Sequence, residues 1–148
     1  PDLFIFDRKI TFSEGEEGQQ PVNSLVVVEF KRPQRDDYSD QENPLQQVLD
    51  QIRDIRKGQV KDEKGRPITL AYEKVPTFAY IICDITPSLR EVLVDRDATG
   101  TPDGLSYYGF HKNHSVYFEV IDYTKLLTDA KKRNRVFFDK LNLMGGKV

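Results

Sequence analysis

Cysteine is almost missing from this chain: Cys83 is the only one in 148 residues. A single thiol excludes an internal disulfide framework and a cysteine-rich zinc site. It closes the apolar run from Ala79 to Cys83, which reads as a buried structural thiol in a reducing, cytoplasmic setting. Long apolar runs are missing too. None approaches the roughly 18 residues of a membrane-crossing helix, so no membrane partner is expected, and no secretory leader is read. Neither an internal repeat nor a low-complexity tract is present. Charge of one sign is also lacking, with 22 basic against 24 acidic residues and a net charge of −2. That balance neither favours nor excludes nucleic acid, because phosphate binding needs a local basic surface rather than a basic average. No helix-turn-helix, zinc-finger or RNA-recognition signature is found.

What remains is a composition suited to one folded domain, with 38% hydrophobic and 11% aromatic residues. The chain opens on Pro1 and is expected to be a domain excised from a longer protein. Leu3 to Phe6 is a short strand candidate, Asp7-Arg8 a turn, and Ile10 to Phe12 a second short strand. Residues 14 to 23 are polar and carry Gly and Pro, which reads as a surface loop. Leu25 to Phe30 is the strongest strand signal. It is apolar and β-branched on both alternating faces, as in a mid-sheet strand covered on both sides. Asn43-Pro44 predicts a helix start, with Leu45, Val48, Leu49, Ile52 and Ile55 on one face and Gly58 at the end. Residues 61 to 67 form a polar loop. Thr77 to Asp84 is a second buried strand, and Thr86-Pro87 opens a helix to about Asp95. Residues 97 to 104 are turn-rich. Leu105 to His111 and Ser115 to Ile121 pair as a hairpin. A last helix covers about Tyr123 to Leu141, with Leu126, Leu127, Ala130, Phe137 and Leu141 as its buried side. The order predicts an α/β domain with a mixed central sheet flanked by helices.

Chemistry gathers where the strongest strand ends. Glu29 and Lys31 are two apart, so they share a face beside a dry sheet. Burying both charges there is costly without partners. Asp2, heading the first strand, supplies a second acid if that strand lies beside residues 25–30. Two carboxylates plus the backbone carbonyl of Phe30 make a hard oxygen site suited to Mg²⁺ or Mn²⁺. Lys31 would stabilise developing negative charge or orient a water.

Pro1-Asp2 followed by Glu29-x-Lys31 at the end of a β-branched strand resembles the PD-(D/E)xK nuclease superfamily, and the order of elements that follows is similar. The resemblance implies a restriction-endonuclease-like fold and a metal-dependent nuclease acting on DNA, or less readily RNA. In it Asp2 and Glu29 hold the metal and Lys31 assists the nucleophile. Members often carry another acid on a helix before the first strand, and this chain starts too late to show one. Some members carry a Gln followed after three residues by a Tyr on the next helix. Gln47 matches the first position, whereas Gln51 departs from the second. Gln47 either orients Lys31 or touches the backbone of nucleic acid, or else both glutamines are simply solvated. The stretch from Glu29 to Leu141 also looks like a region found beyond histidine-kinase/Hsp90-like ATPase modules, which implies such a module upstream in the full protein.

Blander readings stand beside these. Asp84 either lines the same cleft or serves as a helix-start acid. His111 and His114, three apart without a third ligand, read as exposed turn residues. Glu119 is expected on a solvent-facing side. Lys131, Lys132 and Arg133 either contact phosphates or form a solvated helix face. Arg32 and Arg35, just after Lys31, are better placed to meet a substrate phosphate. Tyr107 and Tyr108 either stack on bases or lie in the core. The rivals to a nuclease are a catalytically inactive nuclease-fold module that binds or assembles, and an unrelated accessory domain of an ATPase that contacts other proteins.

Overall fold

The computed structural model describes residues 3–8, 21–62 and 64–141, and within 3–8 only the side chain of Ile5. The chain is α/β. Its elements run β1 (Leu3–Arg8), β2 (Val22–Phe30), α1 (Pro44–Arg56), β3 (Thr77–Ile82), α2 (Pro87–Asp95), β4 (Thr99–Gly100), β5 (Ser106–His111), β6 (Val116–Ile121) and α3 (Tyr123–Lys140). One mixed sheet orders the strands β1-β2-β3-β6-β5-β4. The three central strands β2, β3 and β6 are mutually parallel, and β1, β5 and β4 join antiparallel at the edges.

The helix after β2 forms where its signals lie. Asn43 is extended, and its side chain accepts from the backbone N–H of Gln46 at 2.8 Å. Pro44 then takes the first helical position, where its missing N–H costs nothing. Leu45, Val48, Leu49, Ile52 and Ile55 are all buried at 1% exposure or less. Gly58, at φ 68°, turns the chain out of the helix in the left-handed region that glycine adopts freely. The apolar stripe meets Leu25 and Val27 of β2, Ala79 and Ile81 of β3, and Val116, Phe118 and Val120 of β6. Leu89, Val92 and Leu93 of α2 join the same core. Each buried Val, Leu, Ile or Phe among them contributes roughly 1.5–3 kcal/mol by leaving water.

Only this face of the sheet is closed by α1 and α2. On the other, the register aligns Ile5, Val26, Phe78, Tyr117 and Phe110 in one row across five strands. Ile5 and Phe110 remain 51% and 59% exposed. The β-branched run of β2 is therefore not covered equally on both sides, as its composition predicts. Its parallel pairing with β3 and antiparallel pairing with β1 account for its place inside the sheet.

Other expectations shift. Asp7-Arg8 is no turn, since β1 continues through Arg8 with a register shift between those two residues. β2 starts at Val22, inside the expected loop. The rest of that loop, residues 14 to 20, and the strand expected at 10–12 lie outside the described residues. β4 is a two-residue strand within the turn-rich stretch. The last helix has the expected extent but no buried residue; Leu127, Phe137 and Leu141 are 58%, 58% and 50% exposed. Among the described residues no helix is long and apolar enough to cross a membrane.

Candidate functional site

β2 carries Leu25, Val27 and Glu29 on the helix-covered face, because strand side chains alternate. Its ladder extends one residue past the strand, the N–H of Lys31 donating to the carbonyl of Ile82 at 2.9 Å. That bond keeps Lys31 on the same face as Glu29. The Lys31 ammonium donates to Glu29 Oε1 at 2.5 Å and to Gln47 Oε1 at 2.6 Å. The Lys31 and Glu29 side chains are only 13% and 10% exposed. Gln47 arrives there because the Asn43 cap sets the first turn of α1, with the N–H of Gln47 donating to the carbonyl of Asn43 at 3.1 Å.

The surroundings are held by long-range bonds. Tyr123 Oη, at the start of α3, donates to the carbonyl of Lys31 at 2.7 Å. Asp84, just past β3, accepts the N–H of Gln34 at 2.7 Å. It steadies Gln34 at φ 61°, a conformation few side chains adopt. The N-terminus of α2 is capped from the same loop: the N–H of Ser88 donates to Asp36 Oδ1 at 2.9 Å, while Thr86 makes no side-chain cap bond. That N–H holds the Asp36 carboxyl below the usual carboxylate range. Asp84 is therefore neither the cap of α2 nor a free wall of the cleft; it anchors the loop after Lys31. Asp36 and Tyr123 carry no sequence signal, because each works through a partner more than fifty positions away.

The basic candidates part company. Arg32 is exposed beside Lys31. Arg35 is bound to Asp37 at 2.6 Å and Glu42 at 3.0 Å, with its guanidinium 4.9 Å from the Tyr38 ring centroid. Those contacts leave it a brace of the loop rather than an open phosphate ligand. Lys131, Lys132 and Arg133 lie exposed on α3; Lys132 and Arg133 line an open cleft with Glu119, Lys125 and Asp129. Glu119 is half-buried and accepts from Ser106 Oγ at 3.2 Å, so it is not a simple solvent-facing residue. Tyr107 is buried in the core and Tyr108 is 41% exposed on the open sheet face. The Cys83 thiol is buried, and burial pushes its pKa up to about 12, which removes it as a nucleophile near neutral pH.

Asp2 lies outside the described residues. Its neighbour Leu3 pairs with Val28, the neighbour of Glu29. Among the described residues no group of three or more His, Cys, Asp or Glu side chains could hold a metal ion. The donors described at the strand end, the Glu29 carboxylate and the Phe30 carbonyl, are hard oxygens of the kind Mg²⁺ or Mn²⁺ accepts. Compared with known proteins, the chain matches no family model, no curated protein and no solved structure.

Proposed function

We propose that the chain is a metal-dependent nuclease domain of restriction-endonuclease-like fold, hydrolysing phosphodiester bonds in DNA or, less readily, RNA. The observation that supports this reading best is the shielded ammonium of Lys31, gripped by Glu29 and Gln47 at the end of a central strand. A cation at that depth, beside a strand end and the exposed Arg32, is suited to neutralise charge that builds on a phosphoryl oxygen. Glu29, Asp2 and the Phe30 carbonyl would hold Mg²⁺ or Mn²⁺, which supplies Lewis-acid activation of the phosphodiester and of water. Gln47 fixes the direction of the ammonium, and Arg32 meets the neighbouring phosphate.

A second reading has its own support. The direct Glu29–Lys31 contact already pairs one carboxylate oxygen with the ammonium, which suits a nuclease-fold module that binds without cutting. Mn²⁺ titration by calorimetry and cleavage of plasmid and single-stranded DNA separate the two. The catalytic reading expects Mn²⁺ binding that Glu29→Gln abolishes. It also expects cleavage that Lys31→Gln removes while circular dichroism is unchanged. DNA binding with no metal-dependent cleavage selects the second reading. Neither binding nor cleavage rejects both.

A further inference from the structure

Helix α3 faces away from its own fold with the side that helices ordinarily bury. Toward the sheet it presents Leu126 among mostly polar groups. Lys125 binds Asp103 at 2.8 Å, and Lys125, Asp129, Lys132 and Arg133 line the cleft against β6. The opposite side carries Leu127, Ala130, Asn134, Phe137 and Leu141, spaced alternately three and four apart, with Phe138 beside them. Leu127, Phe137 and Leu141 are half or more exposed, and no residue of α3 is buried. At about 100° per residue, Lys131 borders one edge of this stripe and Arg133 and Lys140 border the other. Asp139 falls on the far side, 3.9 Å from Arg135, and Asp129 lies beyond Arg133 and Lys140, turned toward Lys125 at 3.8 Å.

We propose that α3 is the docking element for an amphipathic helix of a partner protein whose apolar seam is flanked by acidic side chains. The three–four spacing is the seam of a two-helix coiled coil, and Asn134 occupies a central seam position, where a polar residue sets register. The cationic edges call for acidic ones opposite. A second copy of this chain would bring the same cations against them. A lipid surface would bury the Asn134 amide in the middle of the apolar stripe without a partner. The inference is independent of any nuclease activity.

The test uses the intact protein and two synthetic helical peptides of about three heptads, identical with Leu at the seam and one seam Asn. One carries Glu at all flanking positions and the other Lys. Calorimetry is expected to show the Glu peptide binding at least about tenfold more tightly than the Lys peptide. Leu127→Ser with Phe137→Ser should abolish that binding with the circular dichroism of the domain unchanged, since both side chains are exposed. Lys131→Glu with Arg133→Glu should reverse the preference between the peptides. Equal or absent binding of the two peptides overturns the proposal. So does a dimer of the protein alone by light scattering that Phe137→Ser dissolves. Preferential co-sedimentation with phosphatidylserine vesicles that the Glu peptide does not compete away also overturns it.

Discussion

Among the described residues, the amide of Gln47 supplies one of the two oxygens that hold the Lys31 ammonium, at 2.6 Å. With the lysine side chain only 13% exposed, water cannot readily replace it. Losing a hydrogen bond to a buried charge costs more than losing a neutral one, so Gln47→Ala is expected to destabilise the fold by about 2 kcal/mol. Urea unfolding at unchanged m-value measures this. A loss below about 0.5 kcal/mol would mean that Glu29 alone holds the cation. The shared face of Glu29 and Lys31 is legible from a two-residue period. The part played by Gln47 is not, because helical periodicity places it near the buried stripe without saying what lies opposite. The intervening loop decides that, and its path depends on Asp84 and Asp36, which meet partners far along the chain.

Elements with punctuation at both ends are readable. Asn43, Pro44 and Gly58 bound α1, and Thr86-Pro87 opens α2, within a residue of the structure. Asn43 does more than cap. While its Oδ1 accepts from Gln46, its Nδ2 donates to the carbonyls of Ser39 and Asp40 at 2.9 and 3.0 Å. Asn43 is 1% exposed, so Asn43→Ala removes a shielded donor from both carbonyls, of which that of Asp40 keeps Arg96, and opens the helix end. The expected cost is about 2–3 kcal/mol. Asn43→Asp keeps the cap acceptor but cannot donate, and should fall between alanine and the native residue in chemical-denaturation midpoints. If Asn43→Asp proves as stable as the native protein, the two carbonyl bonds contribute nothing; if it proves no more stable than Asn43→Ala, the cap contributes nothing. β1 and α3 show the opposite limit of sequence reading. A local turn signal at Asp7-Arg8 yields to pairing with β2, and an amphipathic pattern in α3 reveals an apolar side without revealing whether the same fold covers it.

At the scale of the molecule, the α/β class follows from the alternation of strand and helix signals, whereas strand order does not. β3 sits beside β6 through pairings of residues about forty apart, such as Ala79 with Phe118, which no local pattern encodes. That pairing also brings the β5–β6 turn to α1: Arg56 donates to the carbonyl of His114, and to Thr77 Oγ1 at 3.2 Å. The His111 and His114 rings stand 4.8 Å apart there, half-buried rather than fully exposed. Burial holds both pKa values below the ordinary 6.5, and each ring's neighbouring positive charge, the other histidine for His111 and Arg56 for His114, adds to the effect. The native state then resists protons that the unfolded chain takes up near pH 6.5, so stability rises with pH across that interval. The contribution is complete above about pH 6.5 and is lost as pH falls through the lowered native values. Asp36, Asp62 and Asp103 act in the same direction but only at lower pH, because their carboxyls start from 3.8 and are held lower still. Urea midpoints should therefore decline between about pH 7 and 5, above the range where Asp36, Asp62 and Asp103 act, and His111→Gln should remove about half of that decline. A flat profile across that range, with the loss confined to strongly acid solution, would show that the turn accepts both protons without disturbing its seat on Arg56.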